Sequence, residues 1–198
     1  NVERAVGIND FAGKKILITG GATAESIDPI RILTNRSSGK TGVELALESY
    51  SRGAEVTIVH RNQLNIPGIN EVYVESADQM IDAVLKELEK GYDAFISSAA
   101  VSDYTFDESP HKIKSGKDGL SLDLRPTRKL LNEVRNSHPE LVITGFKAET
   151  GVTVDELILR AENLQQKYSL DFVVANDVDK MGMGNETNEV YIMVSDNT

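Results

Sequence analysis

Short apolar runs alternating with amphipathic stretches leave this chain few ways to fold. KKILIT (14–19), AEVTIV (54–59), AFISS (94–98), LVITGF (141–146) and DFVVA (171–175) are apolar almost throughout. A strand carries that pattern when both of its faces are covered. Between these runs, apolar residues recur at helical spacing from Lys40 to about Arg52, Ser76 to Lys90, Thr127 to about Ser137 and Thr153 to Tyr168. Such alternation predicts an α/β fold, a Rossmann-like, mostly parallel sheet with helices on both faces and long loops at the strand carboxyl ends. EVYV (71–74) reads as a short strand, LSLDL (120–124) as a strand with one wet face, and VYIMV (190–194) as an edge strand. In the first helix, Val43, Leu45, Ala46, Leu47 and Tyr50 are expected to face inward. Residues 1–12 read as a linker or lead-in, and 13–198 as one domain.

The junction between the first strand and the first helix is the exception to this economy. TGGATAESIDPIRILTNRSSGKTG, Thr19 to Gly42, far exceeds the roughly two to six residues such a connection needs. It holds a carboxylate pair (Glu25, Asp28), Arg31, Asn35, Arg36 and two hydroxyls, and reads as a loop built to hold something polar. Ser37, Ser38 and Gly39 fall where the helix begins, so unpaired N–H groups and the positive end of its dipole favour a phosphate there. A plain Ser-Ser-Gly cap is the competing reading. Two standard phosphate motifs fail: position 34 is Thr where the Walker pattern needs Gly, and Gly20 and Gly21 are adjacent where the dinucleotide pattern spaces them.

A second long polar excursion runs from Ala99 to Gly119. Ligands of open parallel sheets bind at the carboxyl ends of the strands, so the two excursions should face each other. Asp103 lies just past the strand, and HKIKSGK brings Lys112, Lys114 and Lys117 into a Gly-containing segment that reads either as a flap closing over an anion or as a solvated loop.

Other chemistry is excluded by what the chain lacks. Asp plus Glu number 31 against 21 Lys plus Arg, a formal charge of −10, which argues against a general grip on nucleic acid or an anionic membrane. There is no Cys, and no apolar run approaches a membrane span, a pattern that fits the cytoplasm. His60, His111 and His138 show no metal-ligand spacing, no G-x-S-x-G elbow is present, and no Tyr is followed four residues later by Lys. What remains suits phosphoryl or nucleotidyl transfer, where positioning and charge stabilisation carry the catalysis.

Several stretches together resemble phosphopantothenoylcysteine synthetase, the ligase half of a bifunctional coenzyme A biosynthesis flavoprotein: ITGGAT (18–23), DPIRILTNRSSGKTG (28–42), SSAAVSDY (97–104), HKIK (111–114), GFKAET (145–150) and ANDV (175–178). The resemblance implies a homodimer joining 4′-phosphopantothenate to L-cysteine with CTP and Mg²⁺, with a flavin-dependent decarboxylase domain fused N-terminally. The stand-alone eukaryotic type would use ATP. It further implies that Asn35, Lys112 and Arg31 are catalytic, and that Ser37, Ser38, Gly39 and Lys40 seat phosphate beside Gly20 and Gly21. Ser97, Ser98, Ala99, Asp103, Phe146 and the turn Arg125, Pro126, Thr127, Arg128 would line the nucleotide pocket. Where the family has two lysines four apart, this chain has Asn163 and Lys167; the metal ligands are not implied. The family continues past this C-terminus, so the chain is expected to be truncated. An NADP-dependent oxidoreductase or epimerase, gripping its cofactor through Arg36 and Lys40, and a non-catalytic CTP-binding domain are the alternatives.

Overall fold

The computed structural model describes residues 9–116, 119–179 and 189–195. Lys117, the MGMGNETN loop (181–188) and most of the lead-in lie outside the described residues. The strands are β1 (Lys15–Gly20), β2 (Ala24–Ser26), β3 (Ile32–Thr34), β4 (Glu55–His60), β5 (Asn70–Tyr73), β6 (Ala94–Ser97), β7 (Tyr104–Thr105), β8 (Arg125–Pro126), β9 (Val142–Glu149), β10 (Phe172–Asp177) and β11 (Tyr191–Val194). The helices are α1 (Lys40–Ser51), α2 (Ala77–Leu88), α3 (Leu130–Ser137) and α4 (Val154–Tyr168).

Seven strands form one sheet in the order β5-β4-β1-β6-β9-β10-β11, all parallel except β11, which runs antiparallel to β10 at the edge. Building outward from β1 in both directions creates a switch point between β1 and β6, where an open parallel sheet offers a crevice. α2 and α4 start at full capping boxes, Ser76 with Gln79 and Thr153 with Glu156.

The period of two along each strand divides the core. Leu17 and Val59 point to one side, with Met80, Ile81 and Val84 of α2, Leu130 and Val134 of α3, and Leu157 and Ala161 of α4. Ile16, Ile18, Val56 and Ile58 point to the other, against Ala46 of α1. Helices therefore cover both faces, unequally.

Four expectations are corrected. LSLDL forms no strand, and Leu120 and Leu124 are exposed. Alternation marks a face but supplies no hydrogen-bonding edge, and the pairing here falls to Arg125–Pro126 against Tyr104–Thr105 instead. Thr127 does not cap α3; Lys129 takes that position, while the Thr127 hydroxyl donates to Ser102 O at 2.6 Å. Leu47 faces solvent, and α1 buries Gly42, Ala46 and Ser49. The first long loop is not wholly irregular, because it folds into the β2–β3 hairpin.

Candidate active site at the sheet switch point

Both excursions leave the carboxyl ends of β1 and β6 and meet above them. Ala100 is the contact: its N–H donates to Gly21 O (2.8 Å), and its carbonyl accepts from Thr23 N (3.3 Å) and from the Asn35 side-chain amide (3.1 Å). Ser98 Oγ donates to Thr19 O at 2.6 Å, and Ser102 N donates to the Thr23 hydroxyl. Asn35 is thereby held over the switch point by the opposite loop.

On the α1 side the glycines decide the geometry. A Cβ on Gly42 would lie 2.8 Å from Gly20 Cα and 3.0 Å from Ser98 Oγ, and one on Gly39 would lie 3.0 Å from Gly21 Cα. Strand end and helix start touch backbone to backbone, the role that the third glycine plays in a dinucleotide motif. The hairpin merely separates the two glycine pairs in sequence. Gly39 is the N-cap at φ 81°, and no side chain caps α1. The first-turn N–H groups therefore lack an intrahelical acceptor, though Lys40 N donates weakly to Ser38 Oγ at 3.4 Å. A cavity of about 240 Å³ opens there, lined by Gly20, Gly21, Ser38, Gly39 and Lys40 together with His60 and Asn62 of the β4 end. The last two carried no motif in the sequence.

The other side of the switch point holds a second cavity of about 220 Å³, lined by Ser97, Ala99, Asp103, Thr127, Arg128, Phe146 and Lys129, with Leu164 and Tyr168 of α4 closing one wall. Six of the residues expected in the nucleotide pocket meet here. Lys167 does not line it; its ammonium sits 5.1 Å over the Tyr168 ring. The cations of the Arg125 turn are committed elsewhere. Arg125 pairs with Asp107, and Arg128 pairs with Asp82 and Glu133, which hold its guanidinium well above its ordinary pKa. Lys129, which sequence reasoning missed, pairs with Asp103 at 2.6 Å.

Glu25 and Asp28 serve the scaffold rather than a ligand. Glu25, buried, accepts from Ala77 N at the start of α2 and from the Thr105 hydroxyl. Asp28, 1% exposed, accepts from Ile30 N, Arg31 N, Arg31 Nη1 and Ile113 N. Burial pushes its carboxyl up, but the Ile113, Ile30 and Arg31 hydrogen bonds and the Arg31 charge outweigh that and hold it below its ordinary value. Arg31 is thus bound to Asp28, and its Nη2 donates to Ile113 O. Lys112 is exposed and, like Arg36, has no carboxylate partner among the described residues. No group of three His, Asp or Glu suited to a metal occurs among the described residues, and no helix there is long and apolar enough to cross a membrane.

Fold and site define a doubly wound α/β domain with a helix N-terminus that no side chain caps and a cavity on either side of its switch point. Its family is that of the DNA/pantothenate metabolism flavoprotein C-terminal domain, whose profile matches residues 11–198, and the chain belongs to it. It is 43% identical, over 93% of its length, to the coenzyme A biosynthesis bifunctional protein CoaBC of Thermococcus kodakarensis, and 37% identical to that of Bacillus subtilis. The chain spans about half the length of each of these relatives, 46%. A crystal structure of the C-terminal domain of a CoaBC superposes with a TM-score of 0.73 at 32% identity, covering 93% of this chain and 88% of that one.

Proposed function

We propose that this domain ligates 4′-phosphopantothenate to L-cysteine at the expense of CTP. The observation that carries the reading is the Asn35–Ala100 contact, which sets an amide donor between an anion seat and a pocket at the switch point. The likeness to coenzyme A biosynthesis proteins from Thermococcus kodakarensis and Bacillus subtilis supports the pathway, and both are of the bifunctional type for which the family resemblance implies CTP. The nucleotide occupies the cavity bounded by Ser97, Ala99, Asp103, Thr127 and Phe146, and its phosphates run over the switch point to Ser37, Ser38, Gly39 and Lys40.

The substrate carboxylate attacks the α-phosphorus, the bond to the β-phosphate breaks, and pyrophosphate leaves. The cysteine amine then attacks the acyl carbon of the acyl-cytidylate and displaces CMP. A carboxylate needs no general base for the first step, so the work falls to groups that bring two anions together. Asn35 orients the acyl-phosphate, Lys112 and Arg36 supply charge, and the α1 N-terminus takes the departing phosphates. Mg²⁺, where bound with the nucleotide, would offset the charge of its phosphates as the carboxylate approaches.

The wider reading adds a flavin-dependent decarboxylase domain in the remainder of the protein, a cytoplasmic setting where CTP is available, and a homodimer. Val142, Ile192 and Val194 are exposed on the sheet face opposite α2, α3 and α4, and a second copy covers them. The test of the chemistry is Asn35→Ala, which keeps the fold and CTP binding and loses pyrophosphate release. Full turnover by that variant refutes the role of Asn35, and loss of CTP binding with it refutes the placement of the nucleotide.

A further inference from the structure

We infer that Asp28 is the positioning residue for Lys112, acting through a clasp on the peptide that follows it; this rests on the ligase reading above. Asp28 cannot meet a substrate, because its carboxylate is buried and fully engaged. Oδ1 accepts from Ile30 N and Arg31 N, each at 2.9 Å, and fixes the turn between β2 and β3. Oδ2 accepts from Arg31 Nη1 at 3.0 Å and from Ile113 N at 3.1 Å, a residue 85 positions away. Arg31 completes the clasp by donating from Nη2 to Ile113 O at 3.1 Å.

Both polar groups of Ile113 are therefore held from the hairpin, the N–H by Asp28 and the carbonyl by Arg31. Ser109 N, donating to Ile27 O at 3.0 Å, ties the same segment at its other end. Lys112 lies inside this double tether, one residue before the clasp, and its own side chain is exposed. The hairpin that carries Asp28 also ends in Asn35, which is tied to Ala100. Asp28 thus ties together the two backbone segments that carry Asn35 and Lys112, and so narrows where the Lys112 ammonium can reach. A lysine on an untethered loop loses that advantage, because ordering it must be repeated at each turnover.

Asp28→Asn tests this without a change of shape. One carboxamide position becomes a donor facing the Ile113 N–H or Arg31, so at least one charge-assisted hydrogen bond is lost. Hydrogen–deuterium exchange across 109–116 should quicken by about 10- to 100-fold, the factor such a bond carries. Pyrophosphate release with CTP and 4′-phosphopantothenate should fall about 10-fold or more in kcat, with KM for CTP within about twofold. Ile113→Pro removes the same donor, while also fixing φ at 113 and biasing Lys112 toward extended backbone, and should reproduce both effects if Asp28→Asn fails to fold. Unchanged exchange in a folded variant overturns the clasp. Faster exchange with undiminished kcat overturns its role in placing Lys112. If the wild-type chain releases no pyrophosphate, the ligase reading fails and the positioning role with it, while the exchange result still decides whether the clasp exists.

Discussion

Adding one methyl group at Gly42 tests whether the glycine contact sets the phosphate seat. The new Cβ would lie 2.8 Å from Gly20 Cα, 3.0 Å from Ser98 Oγ and 3.4 Å from Thr19 O. Two of those neighbours are backbone, so the α1 N-terminus must back away from β1 by roughly half an ångström or more to reach ordinary carbon contact. Overpacking of this kind costs about 1–3 kcal/mol. The gain in helix propensity, up to about 1 kcal/mol, offsets part of it. The net loss of about 0–2 kcal/mol lowers Tm by at most about 8 °C in a chain of this size. Catalysis suffers more, because displacement approaching 1 Å at a reacting phosphate costs about 100-fold, or roughly 2.7 kcal/mol of transition-state stabilisation. Gly91→Ala is the control: its φ is +74° with nothing within 4 Å, so it carries backbone strain without touching the site. The assay is pyrophosphate release under kcat/KM conditions beside a thermal melt. A folded Gly42→Ala chain with wild-type kcat/KM refutes the argument, as does Gly91→Ala with an equal catalytic loss.

Arg128→Ala should change KM for CTP by less than about threefold and stability by about 0–1 kcal/mol, because its guanidinium is half-exposed and already paired with Asp82 and Glu133; a tenfold rise in KM would show that it turns to the nucleotide. Arg135 joins α3 to β9 and β10 at the opposite end of the sheet, donating to Pro139 O, Leu141 O and Asp171 Oδ2. Arg135→Ala should therefore cost about 2–4 kcal/mol, seen as a Tm loss of about 5–12 °C, with kcat/KM at 25 °C unchanged. Glu71 is pushed up by burial but held below its ordinary 4.5 by the Leu64 and Ile66 N–H groups and by His60. Its contribution is complete above that value and is lost as pH falls through the lower folded pKa. The stability gap between wild type and Glu71→Gln should narrow from about pH 6 to about pH 3, and a constant gap in chemical denaturation would contradict the assignment.

The parallel sheet was readable because β1 and β4 are covered on both faces and β6, β9 and β10 bury one face while half-covering much of the other, and apolar runs of that kind have few other homes. The β2–β3 hairpin was not, since AES and ILT are three-residue strands with no alternation long enough to register. LSLDL misled for the converse reason, showing a period without an edge to pair with. Around the site, residue types pointed to phosphate, but spacing did not, because Gly20 and Gly21 meet Gly39 and Gly42 only after the hairpin closes. The fates of Arg31, Arg128 and Asp103 depend on partners distant in sequence, among them Ile113, Asp82 and Lys129, and no local pattern announces them.

Pyrophosphate release from the wild-type chain, with CTP or ATP and with 4′-phosphopantothenate and L-cysteine supplied singly and together, bears most directly on the whole account. Release should prefer CTP, require 4′-phosphopantothenate, and be sustained only when L-cysteine is present to discharge the acyl-cytidylate. Release that ignores 4′-phosphopantothenate, or none from a folded sample with either nucleotide, would contradict it.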